Sequence, residues 1–118
     1  MSNTIHINTC DSNLMLKNSG EESQATQGVS LDCGSTTSST VCVVEVNTLT
    51  GGSEAEFDVQ IQGSYDESDW TTVAGMLVDQ QGKYNLALGG HDYRYWRYVS
   101  NYEGDGTSAV WSAHLAAS

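Results

Sequence analysis

Hydrophobic and polar positions alternate most regularly over residues 56–73, EFDVQIQGSYDESDWTTV, where Phe57, Val59 and Ile61 are separated by Asp58 and Gln60. A period of two is the signature of a strand with one buried and one wetted face. Gly63-Ser64 leads into an acidic turn, Asp66-Glu67-Ser68-Asp69, and Trp70 opens a second short strand over residues 70–73, whose Thr71, Thr72 and Val73 favour extension. Residues 40–50 carry the other strong alternation. Cys42, Val44 and Val46 share one face, and Val43, Glu45 and Asn47 share the opposite one. The polar residues opposite make the Cys42 face the buried one. Only Gly51-Gly52-Ser53 and a few more residues separate this strand from Phe57, so antiparallel pairing of the two is expected.

Later in the chain the same period recurs. Tyr84, Leu86 and Leu88 alternate with Lys83, Asn85 and Ala87, and Ala109, Trp111, Ala113 and Leu115 alternate with Val110, Ser112 and His114. Over residues 93–100 both faces mix aromatic and polar groups: Tyr93, Tyr95, Arg97 and Val99 on one, Arg94, Trp96, Tyr98 and Ser100 on the other. Periodicity does not choose between them. Ahead of residue 40 lie a candidate first strand at residues 4–9, a brief apolar patch at 14–16 and a thin candidate strand at 29–33, then the loop GSTTSS. No span sustains a helical period. The expectation is an all-β antiparallel sandwich, jelly-roll or immunoglobulin-like, of about seven or eight strands. Residues 1–39 form N-terminal strands or an arm, a candidate attachment or oligomerisation segment carrying Ile5, Ile7, Leu14 and Leu16. Residues 40–118 form the sandwich core, with Val44, Val46, Phe57, Val59, Ile61, Trp70, Trp111 and Leu115 as its inward residues.

The 118 residues and 12.7 kDa suit one domain. Fifteen acidic residues against four basic ones give a formal charge of -11, which argues against a phosphate-backbone partner, because nucleic-acid affinity needs neutralising Lys or Arg. No apolar run is long enough to cross a membrane as a helix, and MSNTIHINTCDSN has no basic region followed by an apolar one, so no secretory signal is expected. With proline absent, turns fall to Gly, Asn, Asp and Ser. The three cysteines, Cys10, Cys33 and Cys42, contain no CxxC element. They read as reduced thiols in a cell interior, with one disulfide plus a spare thiol as the alternative. Cys42 belongs to the core face, and Cys10 and Cys33 are the candidates for a bridge.

His6, His91 and His114 are dispersed, and none has a second histidine at a metal-binding interval. No catalytic residues, cofactor or metal are therefore expected. The acidic turn makes Asp66 and Asp69 a weak calcium candidate, without the loop spacing of a calcium-binding helix pair. Arg94 and Arg97 flank Tyr95-Trp96 and supply half of the basic residues. Arg94, Tyr95 and Arg97 are candidate interface residues, since Tyr, Trp and Arg dominate binding hot spots. The competing reading buries Trp96 and pairs the arginines with surface carboxylates.

Residues 40–116 resemble a loose pattern shared by small β-sandwich proteins encoded among the head and structural genes of tailed bacteriophages. The matching pieces are residues 40–54, Val59 to Ile61, Ser64-Tyr65-Asp66-Glu67-Ser68-Asp69-Trp70-Thr71, the stretch from Gly82, Arg94-Tyr95-Trp96-Arg97 and Gly106-Thr107-Ser108. Glu67 stands where that pattern has a turn glycine, and the first forty residues lie outside it. The resemblance implies a non-enzymatic virion component, a capsid decoration or cement protein (or a head-fibre-like one) that binds the major capsid protein lattice and stabilises the head. It also implies a homo-oligomer, a trimer more than a dimer, made in the host cytoplasm and located on the capsid surface. The alternative class is a carbohydrate-binding or adhesion module in which Tyr93, Tyr95 or Trp96 stacks on sugar rings.

Overall fold

The computed structural model describes residues 15–32, 40–52, 55–89, 93–104 and 106–117. Nine strands run through them: β1 (Met15–Glu22), β2 (Thr26–Gln27), β3 (Leu31–Asp32), β4 (Thr40–Thr50), β5 (Glu56–Ser64), β6 (Thr71–Val78), β7 (Gly82–Gly89), β8 (Tyr95–Glu103) and β9 (Ser108–Ala117). Every pairing is antiparallel. One sheet has the order β1-β9-β4-β7; the second has β2-β8-β5-β6, with β3 also paired to β8. The protein is thus an all-β sandwich of two packed antiparallel sheets.

The two most regular strands do not pair with each other, contrary to the hairpin expected from their short connection. β4 lies between β7 and β9, with Cys42 opposite both Leu86 and Leu115. β5 lies between β6 and β8, with Ile61 opposite Ala74 and Tyr98. Each is an interior strand of its own sheet, and their apolar faces meet across the core. Two faces of this kind bury more surface opposed to each other than side by side. The crossing is made at Gly51, whose φ of 144° suits glycine and where a Cβ would collide with Ala55 and crowd Thr107.

Two further differences concern element boundaries. Residues 71–78 form one continuous strand, where a short one over 70–73 was expected, and an irregularity between Ile61 and Gln62 of its partner leaves Val73 as the extra residue. Residues 15–32 are not a separate arm. β1 pairs with β9, and β2 and β3 pair with β8, so a boundary at residue 40 cuts through both sheets. Leu16, expected at an interface, is 6% exposed and belongs to the core. Ile5, Ile7 and Leu14 lie outside the described residues.

The core unites both sheets. Val44, Val46, Phe57, Val59, Ile61, Trp111 and Leu115 are all buried in it. Trp111 of β9 is its centre, with ring centroids 5.4 Å from Phe57 and 5.2 Å from Tyr98, and Phe57 stacks on Tyr102 at 5.1 Å. On β8 the buried residues are Trp96, Tyr98 and Ser100, which decides the face that periodicity left open. Burial of Cys42 in the same core pushes its thiol up to about 12, so it behaves as a small apolar residue.

A polar clasp joins the sheets at the β1 edge. The Glu22 carboxylate accepts hydrogen bonds from Tyr98 Oη (2.7 Å), Ser100 Oγ (2.5 Å) and Tyr102 Oη (2.6 Å), and Tyr102 Oη accepts one from Trp111 Nε1 (2.6 Å). Register shifts either side of Lys17 bury it next to Leu16, breaking the strict alternation. Its ammonium lies 4.9 Å from the Trp111 ring centre and donates to the carbonyls of Trp111 (2.8 Å), Gly20 (2.9 Å) and Asn18 (3.3 Å). Desolvation lowers its pKa, while Glu22 acts in the opposite sense.

Glu22→Ala removes the acceptor of three hydroxyl groups at once, and is expected to destabilise the fold by about 2–4 kcal/mol. Urea denaturation measures this; a loss under about 0.5 kcal/mol would show the clasp to be idle.

Tyr98 and Tyr102 have pKa values raised first by desolvation and then by the hydrogen bond to Glu22. An unfolded phenol ionises at about pH 10, so above that pH the unfolded chain binds fewer protons than the native one. Stability should therefore fall as pH climbs past about 10, with the lowered pKa of Lys17 offsetting part of the fall. Urea midpoints at several alkaline pH values test this. The fall should be shallower in Tyr102→Phe than in the wild type.

Candidate functional site

One end of the second sheet gathers aromatic and arginine side chains from the 65–70 turn, residues 93–94 and the start of β8. Its framework is the turn. Ser64, buried at the end of β5, accepts the backbone N–H groups of Asp66 (3.2 Å) and Glu67 (3.0 Å) on its Oγ and donates to Asp66 Oδ1 (3.0 Å). Asp66 Oδ1 accepts the N–H groups of Ser68 (2.9 Å) and Asp69 (3.0 Å). These bonds, that from the Asp69 backbone foremost, hold the Asp66 carboxyl below its usual value. Glu67 has a φ of 62°, the left-handed region that glycine fills at no steric cost.

Three aromatic contacts fix the surface above this turn. Trp96, fully buried, donates from Nε1 to the Tyr93 carbonyl (3.2 Å) and meets the Tyr93 ring edge-on at 5.7 Å. Tyr93 covers Gly63, where no Cβ would fit, and packs at 4.7 Å against Tyr65. Tyr65 is 62% exposed. A large ring is therefore held in solvent by a chain of contacts that begins in the core.

The two arginines are arranged differently. Arg94 grips Asp32 through Nε (2.9 Å) and a terminal nitrogen (2.8 Å) and lies 5.2 Å from the Tyr95 ring centre. Its pKa is raised, first by that hydrogen bond. The pair is about half exposed, so it orients the side chain more than it stabilises the fold. Arg97 lies over the Trp70 ring at 4.1 Å and donates from Nε to Gln62 Oε1 (2.7 Å), while Gln62 Nε2 donates to Thr72 Oγ1 (3.2 Å). Desolvation lowers the Arg97 pKa.

Of the sequence-derived candidates, Arg94, Tyr95 and Arg97 do come together here. Trp70, expected in the core, is instead half-buried on the outer side of the second sheet, beneath Arg97. The reason is register. Gln62 pairs with Arg97 and with Thr72 on the outer face, and Trp70 stands two residues before Thr72, on the same side by the period of two. Trp96 is buried and so is closed to stacking on a sugar ring. Asp66 is committed to the turn, and no group of three His, Cys, Asp or Glu side chains suited to a metal occurs among the described residues. Tyr65, Gln62 and the clasp residue Glu22 were not anticipated. Tyr65 had one available signal, an aromatic residue directly at an acidic turn; Glu22 had none, since its partners lie 76 to 80 positions away.

A cleft of about 410 Å³ opens between β1 and residues 26–31, lined by Met15, Leu16, Val29, Leu31 and Tyr98 among others. Ser30 Oγ, in this segment, is buried without a hydrogen-bond partner. The Lys17 ammonium at this cleft is already bound to three carbonyls, so the cleft offers little to fix a polar ligand. The aromatic and arginine surface has the more specific chemistry.

No protein-family model matches the chain, and neither does any curated protein. Among solved structures the chain is similar to the crystal structure of PirA, with a TM-score of 0.57 over 85% of this chain and 93% of that one, at 14% identity. At that identity the likeness is one of fold, a sandwich of the same general build.

Glu67→Gly should stabilise the protein by about 0.5–1 kcal/mol, the relief of about 1–2 kcal/mol at a left-handed position less the added chain entropy of glycine. Urea denaturation checks it, and an unchanged or lower midpoint would mean that the turn tolerates Glu67 without strain.

Proposed function

We propose that the protein is a non-catalytic binding module, a virion structural component that docks on the major capsid protein of a tailed-phage head and stabilises the shell. The docking part rests on one observation: the grouping of Tyr65, Trp70, Tyr93, Tyr95, Arg94 and Arg97 at one end of the second sheet, with Tyr65 held out in solvent. Rigid aromatic and arginine side chains give large contact area at low entropic cost, which is why they dominate binding hot spots. The non-catalytic part draws support from the buried Lys17 and the half-buried Glu22, whose polar atoms are taken up by structural hydrogen bonds. The virion part rests on the sequence resemblance of residues 40–116. The strand orders β1-β9-β4-β7 and β2-β8-β5-β6 support a jelly roll, an architecture that occurs in viral capsid domains as well as lectins. A three-fold homo-oligomer is the assembly that the resemblance implies, and repetition of the docking face on each subunit would multiply modest single contacts.

The test is co-sedimentation of the purified protein with phage heads lacking it. The wild type should be retained, and Tyr65→Ser, folded by circular dichroism, should bind about 30-fold more weakly, as loss of a hot-spot ring worth about 2 kcal/mol requires. A protein that is not retained on heads but is retained on immobilised glycans would replace this reading with the carbohydrate-binding one.

A further inference from the structure

Among the described residues Arg97 is a guanidinium without an acid, in a chain that has acids in excess. Of the four basic side chains, Lys17 is bound to three carbonyls, Arg94 to Asp32, and Lys83 is an exposed, flexible ammonium on β7, on the other sheet. Arg97 has Gln62 Oε1 and the Trp70 ring, and no carboxylate among the described residues lies within ion-pair distance. Its Nε is occupied by Gln62. Among the described residues its terminal nitrogens have no hydrogen-bond partner, and they are not fully buried, because Ser30 Oγ is the buried side-chain polar atom there without a partner.

The group is also held in place. Trp70 supports the guanidinium at 4.1 Å from its ring centre, and Gln62, itself tied to Thr72, holds its Nε. A stacked guanidinium with its terminal edge open is pre-organised for a bidentate carboxylate and has little side-chain entropy left to lose. We propose that Arg97 is a carboxylate-recognition point that takes an Asp or Glu side chain of the docked protein. The inference rests on this surface being the docking face. The net charge of -11 opposes a polyanionic ligand at long range. A lone carboxylate set among neutral and basic groups fits better, since the neighbouring turn presents Glu67 and Asp69 to the partner's cations.

The experiment uses the full-length protein, labelled with nitrogen-15, and follows the Arg97 Nε–H and Trp70 indole N–H resonances. The probes are a capped Ala-Glu-Ala peptide, the matching Ala-Gln-Ala peptide and glucuronate, at constant ionic strength. The glutamate peptide should shift both resonances saturably and the glutamine peptide should not. Arg97→Gln should abolish the Trp70 response, and Arg97→Lys, which keeps the charge but loses the fork, should weaken it by about 5–10-fold. Equal shifts from the two peptides, or none from either, would overturn the proposal. Shifts from glucuronate alone would overturn the protein side-chain assignment in favour of an acidic sugar. Co-sedimentation separates the two readings: loss of head binding in Tyr65→Ser with wild-type binding in Arg97→Gln removes the carboxylate role and leaves the docking face. Wild-type binding by both variants removes the docking face.

Discussion

The two sheets are joined by one polar cluster at their open edge, and the rest of the sandwich depends on it. Glu22 comes from the first sheet, and its hydroxyl partners Tyr98, Ser100 and Tyr102 come from a central strand of the second. Trp111 completes the bridge by bonding Tyr102 with its ring edge while its carbonyl takes the Lys17 ammonium. Burying a carboxylate and an ammonium is costly unless every polar atom is met. Here the carboxylate receives three hydroxyl donors and the ammonium reaches three carbonyls. The cluster specifies which strand of one sheet lies over which strand of the other, something that apolar contact alone does loosely.

With the sheets fixed in this way, β8 has a defined inward face, and the aromatic and arginine surface follows from it. Trp96 points into the core and anchors Tyr93, which in turn supports Tyr65 in solvent. The alternate residues Tyr95 and Arg97 then face outward beside Gln62 and Ser64 of β5. The surface is therefore as rigid as the sheet that carries it. Rigidity matters for a binding face, because side chains ordered before contact have less freedom to lose on docking. The neighbouring turn is tied by Ser64 and Asp66, even though Glu67 occupies a position better suited to glycine.

The sequence by itself determined the local content of the fold. Alternation in β4, β5 and β9 named the inward residues Cys42, Val44, Val46, Phe57, Val59, Ile61, Trp111 and Leu115, because a half-buried strand leaves a period of two that needs no tertiary information. It also brought Arg94, Tyr95 and Arg97 forward as a group. Tertiary structure decided five things. It sent β4 and β5 to different sheets, since a short glycine connection is compatible with both a hairpin and a crossing. It incorporated residues 15–32 into the sheets, because a strand such as β1, with bulges at Lys17, gains its burial from β9 and not from its own pattern. It chose the Trp96 face of β8, where both faces carried aromatic and polar groups. Last, it turned Trp70 outward under Arg97 and brought Glu22 to three hydroxyl groups. Each of these depends on contacts between residues far apart in the chain, and composition and period along the chain carry no record of such distances.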